Sequence, residues 1–223
     1  MYSALIATAA CWFLLAASAL AAEGFTTSPA YEACATLAST DAAAALKKAE
    51  DLSRTDNTIG SAHCRAMALY GLRRYQEAGE ALGKIRDALP DGEEVLRSYV
   101  TRQAARAWVE AGQYEKARRS LSAQIAHLAP RAYDHPRTGR QVSELLLDRA
   151  GIYMKQSRTT DAVQDLDHAL SLRPNGEDLL LARAELLLAI GDKALAQEDL
   201  QRILRMNPRQ PQALNIMRSL KGK

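Results

Sequence analysis

The sequence predicts an all-α fold, an α-solenoid of antiparallel helix pairs, and four observations carry that expectation. The phrase "LLLDRAGIYM" (145–154) returns as "LLLARAELLL" (179–188), and "DAVQDLDHALSLRPN" (161–175) is echoed by "ALAQEDLQRILRMNP" (194–208). Alanine recurs at one slot of a first helix (Ala66, Ala105, Ala150, Ala184) and at one slot of a second (Ala78, Ala117, Ala162, Ala196). Each alanine of the second set is followed four residues on by a leucine: Leu82, Leu121, Leu166, Leu200. Proline closes the units at Pro90, Pro174 and Pro208, with Pro130 one residue late. Small residues at fixed slots let two antiparallel helices approach, and leucine at i+4 fills the groove beside them. Proline cannot continue a helix interior and so stops the second helix. Each pair leaves an apolar face that only a neighbouring pair can cover.

The elements follow in chain order. Residues 1–22, "MYSALIATAACWFLLAASALAA", carry no charged side chain, and Ala19-Leu20-Ala21 fits the small-x-small cleavage rule. Residues 1–21 therefore read as a secretory signal peptide. No basic residue precedes the apolar run and the run is long enough to cross a bilayer, so an uncleaved anchor is the alternative. "DAAAALKKAEDLSR" (41–54) matches "DAVQDLDHALSLRP" (161–174) in Asp, Ala, Leu, Ala and Leu at the same offsets. That match makes 22–58 a degenerate helix pair, with 29–38 as a shortened first helix. Four full units follow at 59–92, 98–131, 143–176 and 177–210. Between Ala78 and Ala117 the spacing exceeds the repeat by five, and "DGEEVLR" absorbs the excess by lengthening the next helix, with Asp91 as N-cap and Glu94 three residues on. Between Ala117 and Ala162 it exceeds the repeat by eleven, which places an insert at 132–142. The last segment, "PQALNIMRSLKGK" (211–223), has Leu214, Met217 and Leu220 on one face and reads as a capping helix.

Composition excludes several functions. The 29 basic and 26 acidic residues give a net charge of +3, too slight an excess for nucleic acid, which needs a dense basic face. After the leader the aromatics are Phe25, Trp108 and the tyrosines, which offers no stacking platform. There is no Gly-rich phosphate loop, no pair of metal-binding histidines and no nucleophile elbow, so neither catalysis nor a cofactor is expected.

With this spacing the chain resembles the tetratricopeptide repeat (TPR) family over about 59–210, and best in the abutting units 143–176 and 177–210. The family's tryptophan slot holds Ala62, Thr101, Leu146 and Leu180, and its glycine slot is alanine throughout. The resemblance implies a right-handed superhelix of four to five helix pairs. It also implies a non-catalytic adaptor or scaffold that binds another protein or peptide, here in the cell envelope and, by its bacterial type, in a periplasm. First helices line the concave groove in this family. Carried over slot by slot, the groove presents His63, Met67, Arg102, Gln103, Arg106, Leu147, Asp148, Met154, Leu181 and Glu185. Arg102 and Arg106 sit one helical turn apart, so a peptide with an acidic end and an apolar middle would complement them. Solvated helix faces with local ion pairs are the plainer reading of the same residues. The family's carboxylate clamp of lysines and asparagines is missing: its places hold His63, Met67, Gln103, Glu144 and Asp148.

Cys34 and Cys64 fall on groove-side slots of neighbouring first helices, and an oxidising compartment would let them pair. Their slots differ by six positions, about 9 Å along parallel helices, whereas a disulfide needs Cα atoms about 4.4–6.8 Å apart. A bridge and two free buried thiols are both open on these grounds. A thiol-based redox or metal-handling protein centred on Cys34, His63 and Cys64 is the rival function, although no fourth ligand is evident and the cysteines form no C-x-x-C pair. A membrane-tethered, self-associating scaffold is a third reading and hinges on whether the leader is cleaved. The insert, with Arg131, Tyr133, His135, Arg137 and Arg140, reads as a solvated linker or as a binding rim.

Overall fold

Ser28 accepts the backbone N–H of Tyr31 and Pro29 occupies the first helical position, and together they start helix α1, Pro29–Thr40. This is a computed structural model that describes residues 28–55 and 58–221; the leader and its cleavage site lie outside the described residues. Helix α2 spans Ala42–Thr55, and Asp41 caps it through the Ala44 N–H. A reciprocal capping box between Thr58 and Ser61 opens α3, Ile59–Gly71. Next come α4 (Tyr75–Ala88), α5 (Glu94–Glu110) and α6 (Tyr114–Leu128). A 3-10 turn at Ala129–Arg131 leads to α7 (Pro136–Lys155), α8 (Thr159–Leu172), α9 (Glu177–Ala189), α10 (Lys193–Met206) and α11 (Pro211–Lys221). No strand occurs among the described residues.

One device closes the hairpins of the four full units. The residue seven places after the first-helix alanine takes the left-handed conformation: Arg73 (φ 59°), Gly112 (72°), Ser157 (58°) and Gly191 (91°). The next N–H reaches back five residues, from Arg74 to Leu69 O, Gln113 to Trp108 O, Arg158 to Tyr153 O and Asp192 to Leu187 O, at 2.7–2.9 Å. This closure satisfies carbonyls that a helix end leaves open. Glycine takes that conformation freely; Arg73 and Ser157 adopt it at a steric cost.

The chain divides into two compact units, residues 1–117 and 118–223, with the division inside α6. The alanines of the repeating slots are buried, as are the leucines four residues beyond them. In the first unit, Gly79 of α4 lies against Trp108 of α5. A Cβ there would stand 2.7 Å from the indole, so the missing side chain sets the helix approach. In the second unit Ala150, Tyr153, Ala162, Leu166 and Leu186 form one cluster, with Leu147, Val163 and Ala182 packed against it.

Two expectations change. Asp91 is not an N-cap: α5 begins at Glu94, with Glu93 before it making no side-chain cap bond and Gly92 at φ 95°. The next helix is lengthened as expected, to 17 residues against 13 in α3, and its first turns also serve the end of α4. Arg97 donates to the carbonyls of Arg86, Leu89 and Pro90 at 2.7, 2.8 and 3.1 Å, which helix termination would otherwise leave open. The insert is also less of a linker than the sequence suggests. From Pro136 onward it extends α7 to 20 residues, and Ala132 is buried. Gly139 comes so near that a Cβ would stand 2.6 Å from the Ala132 carbonyl oxygen.

Candidate functional site

In the first unit, side chains from three helices far apart in sequence converge on His63. The Tyr31 hydroxyl lies 3.0 Å from His63 Nδ1, His63 Nε2 lies 2.7 Å from Gln103 Oε1, and Gln103 Nε2 donates to the Tyr99 hydroxyl at 3.0 Å. An amide oxygen only accepts, so Nε2 carries the proton and Nδ1 accepts from Tyr31. Burial holds the imidazole neutral and pushes its pKa down to about 4, against the opposing effect of the hydrogen bond to Gln103. Burial likewise raises the Tyr31 phenol, and the Tyr99 phenol to about 12 despite the nearby guanidinium groups of Arg106 and Arg102.

Beside this line Cys34 and Cys64 are joined by a disulfide, with Cα atoms 6.0 Å apart and both residues fully buried. The wider separation expected from the repeat grid fails because α1 does not keep the grid. Tyr31 meets Gly60 and His63, and Cys34 meets Cys64, offsets that fall short of the repeat. The irregular register of α1 takes up the six-position offset and brings the two cysteine Cα atoms to 6.0 Å. The bridge consumes both thiols, and both ring nitrogens of His63 are engaged, so these three residues are not placed as metal ligands. Among the described residues no group of three or more His, Cys, Asp or Glu is placed to hold a metal ion.

Five of the ten groove candidates lie in this unit, and two need correction. His63 and Gln103 are buried, at 1% and 6% exposure, because they hydrogen-bond each other beneath the surface rather than facing out from it. Met67, Arg102 and Arg106 are half-buried on α3 and α5. They share their neighbourhood with Tyr70 and Tyr99. The Tyr70 phenol is pushed up to about 12, first by burial and then by Glu110 and Tyr75, with Arg106 opposing. The face therefore groups two guanidinium groups with two protonated phenols.

The other five candidates lie in the second unit. Leu147, Asp148, Leu181 and Glu185 are half-buried, with Leu147 packed against the core cluster, and Met154 is exposed. Glu185 accepts from Gln212 of α11 at 2.5 Å. The dominant electrostatic feature there was not anticipated from the sequence. Arg149 binds both oxygens of Asp165 at 2.8 and 2.7 Å and also Ser122 at 2.8 Å. Arg183 repeats it one unit later, binding Asp199 at 2.9 and 2.7 Å and Asp167 at 2.6 Å. Each arginine thus clamps the second helix of its own pair and touches the second helix of the pair before. Both guanidinium pKa values are raised, by the bonds to Asp165 and to Asp199 respectively. The signal was legible: Arg149 and Asp165 recur as Arg183 and Asp199, at one spacing and one repeat apart. The insert adds Tyr133, stacked on His168 with ring centroids 6.4 Å apart and its hydroxyl 3.0 Å from Ser171 Oγ.

A family model described as tetratricopeptide repeat matches residues 153–220. Among solved structures, a putative kinesin light chain from Podosopora anserina with nearly identical TPR-like repeats is similar at 20% identity and a TM-score of 0.64, with 81% of this chain and 93% of that chain covered. YrrB, "a TPR protein with an unusual peptide-binding site", is similar at 14% identity and a TM-score of 0.55, covering 94% and 100%. Residues 153–220 thus match the tetratricopeptide-repeat family, and the described helices take the TPR fold. The fold also resembles MamA 41-end from Desulfovibrio magneticus RS-1, at 14% identity and a TM-score of 0.57, covering 83% and 99%. No curated protein matches the sequence. At these identities the structures show the TPR fold alone. Among the described residues no helix is long and apolar enough to cross a membrane.

Proposed function

We propose that this TPR protein is a non-catalytic protein-interaction adaptor of the cell envelope that holds a peptide or helix on the face shared by α3 and α5. The observation that carries the reading is the grouping of Arg102 and Arg106 with Tyr70 and Tyr99 on successive first helices. The guanidinium groups and the protonated phenols are all donors to a carboxylate, and Met67 supplies an adaptable apolar contact. Rigid helices limit the entropy lost on binding. YrrB, described as having an unusual peptide-binding site, is consistent with such a use of the fold. The Cys34–Cys64 bridge supports an oxidising compartment, as does the uncharged apolar leader. The mature chain is expected to start near Ala22 in soluble envelope fractions. An intact Met1 in membranes would replace the adaptor with the tethered scaffold.

The test of the face is in-cell crosslinking from position 67, in the otherwise native chain and in the double variant Arg102→Glu, Arg106→Glu. Reversal should abolish capture while the helical signal and Tm stay nearly unchanged, because like charge adds repulsion to lost attraction. Higher salt should give a partial version of the same loss. Capture that survives the reversal in a folded protein refutes this face.

A further inference from the structure

A groove of about 460 Å³ lies between α3 and α4, away from the α3–α5 face, with a floor of Ile59, Ala62, Ala81, Ile85 and Ala88. Its origin is visible in the repeat itself. Every residue of this pair has a counterpart in α7–α8, in the register that sets Ala78 against Ala162. The slot of Ala62 holds Leu146, that of Ala81 holds Asp165, and that of Ala88 holds Leu172. At these three slots α7–α8 carries the larger side chain, whereas Ile59 and Ile85 stand where α7–α8 has Ser143 and Ala169.

Two further differences define what the open groove lacks. Arg65 occupies the slot of Arg149 and lines the groove, but its counterpart of Asp165 is Ala81. Among the described residues Arg65 forms no ion pair, and neither does Lys84 on the same rim. The rim acids are already engaged: Arg74 binds both oxygens of Glu77, and Gln76 donates to Glu80. Gln76 is neutral, so Arg65, Lys84 and Arg74 stand against Glu77 and Glu80 at the groove, an excess of one positive charge. The second difference is an aromatic cover. In the α7–α8 pair Tyr133 stacks on His168 and bonds to Ser171, and Gly139 approaches Leu172. The counterparts of His168, Ser171 and Leu172 are Lys84, Asp87 and Ala88, and nothing described lies over them in that way.

We propose that the α3–α4 groove is a second docking site, for a partner peptide that carries an aromatic side chain and a carboxylate two positions apart. The carboxylate meets Arg65 where Asp165 meets Arg149, and the ring lies over Lys84, Ile85 and Ala88 as Tyr133 lies over His168. Positions 81 and 84 are separated by about 4.5 Å of helical rise. Side chains i and i+2 of an extended segment project to one side about 6.5–7 Å apart, which spans the two positions. The ammonium group of Lys84 suits an aromatic face, and an arginine suits a carboxylate in a bidentate pair.

The test uses the full mature chain and two blocked pentapeptides, Gly-Tyr-Ser-Asp-Gly and Gly-Asp-Ser-Tyr-Gly, read by methyl NMR. At least one order of residues should shift the methyl signals of Ile59, Ala62, Ile85 and Ala88 while the α5 face stays silent. Alanine for tyrosine, or asparagine for aspartate, should weaken binding about tenfold each, the scale of one charge-assisted or stacking contact. Arg65→Gln should do the same, and Ala81→Asp should block binding by giving Arg65 the internal partner its counterpart has. Absence of shifts for both peptides overturns the proposal, as does equal binding by Arg65→Gln. Contacts to Ile85 from the chain's own Phe25, or from a second copy at rising concentration, would make the groove an intramolecular or self-association site and overturn it too.

Discussion

Residues 118–223 hold their helix pairs with a ladder of ions, whereas residues 28–117 use a covalent bond and a buried line of neutral polar groups. In the second unit Arg149 and Arg183 are each locked to an aspartate whose side chain is almost wholly buried, 9% exposed for Asp165 and 5% for Asp199. In the first unit the arginine of that slot, Arg65, is exposed and faces Ala81. The gaps in the register there are closed instead by Cys34–Cys64 and by Tyr31–His63–Gln103–Tyr99. The difference teaches where to look for function. A regular repeat satisfies its charged groups internally, so its helices have little left to offer a partner. The irregular unit is braced by the bridge and by neutral polar groups, with the Arg97 guanidinium at the end of α4 as its charged exception.

The largest effect that would sharpen this contrast is loss of the bridge. Its cysteines are 30 residues apart in sequence, a loop for which the chain-entropy model gives about 3–4 kcal/mol. Cys34→Ala with Cys64→Ala should lower the stability of α1–α3 by that order, seen as faster amide exchange there, while α8–α10 serve as the internal reference. Equal loosening of both regions would erase the distinction.

Acid should act on the same unit with a similar size. The folded-state pKa of His63 is about 4, below its ordinary 6.5, so the unfolded chain binds the proton first. The stability it confers is complete above pH 6.5 and is lost as pH falls through about 4, up to about 3 kcal/mol. Denaturant midpoints measured from pH 7.5 to 4 should fall accordingly, and His63→Gln should remove that slope. A slope unchanged by this substitution would mean that the imidazole is not held neutral.

Removing the ladder should follow in size. Arg183→Met leaves the Asp199 carboxylate buried without its partner and strips Asp167 as well, at a cost of about 2–4 kcal/mol. Arg65→Met in the equivalent slot should leave Tm unchanged. In the small-residue slots Ala150→Leu and Ala184→Leu should each cost about 1–3 kcal/mol by overpacking, with Lys155→Ala as a silent surface control. Tolerance at 150 and 184 would mean that the repeat grid is misaligned.

The grid itself was legible because Ala and Leu at fixed slots report helix packing directly, and every one of those residues is buried. What periodicity could not reach were contacts that break the period. Tyr31, His63, Gln103 and Tyr99 lie on helices α1, α3 and α5, and α1 does not keep the register of the repeat. Side-chain direction was the other loss. His63 and Gln103 share first helices with Met67 and Arg106, yet the first two turn inward to each other. A slot rule carried from a family assigns the helix correctly and the rotamer not at all. The Arg–Asp ladder was different, since its spacing stood in the sequence and its charges simply read as solvent-facing.

The smallest difference tests whether the two units can be compared slot by slot. Arg74 and Arg158 occupy one slot, and each begins a second helix by pairing with an acid three residues on: Glu77 at 2.6 Å and Asp161 at 2.8 Å. Both pairs are exposed, and such pairs contribute little because water and salt screen them. Arg158 has one contact that Arg74 lacks. Its guanidinium lies 4.6 Å from the ring centroid of Tyr153, a core residue, with Arg149 on the same ring at 5.9 Å. In the first unit the slot of Tyr153 holds Leu69, which has no ring to offer Arg74. Arg74→Ala should therefore leave Tm where it is, while Arg158→Ala lowers it slightly and Arg158→Lys restores part of the loss, since an ammonium keeps the cation over the ring without the stacked plane. High salt should erase the effect of the acid pairing in both units but spare the contribution from Tyr153, which is shielded by the core. An equal response of the two variants would show that the ring contact adds nothing, and that the units differ only in their buried chemistry.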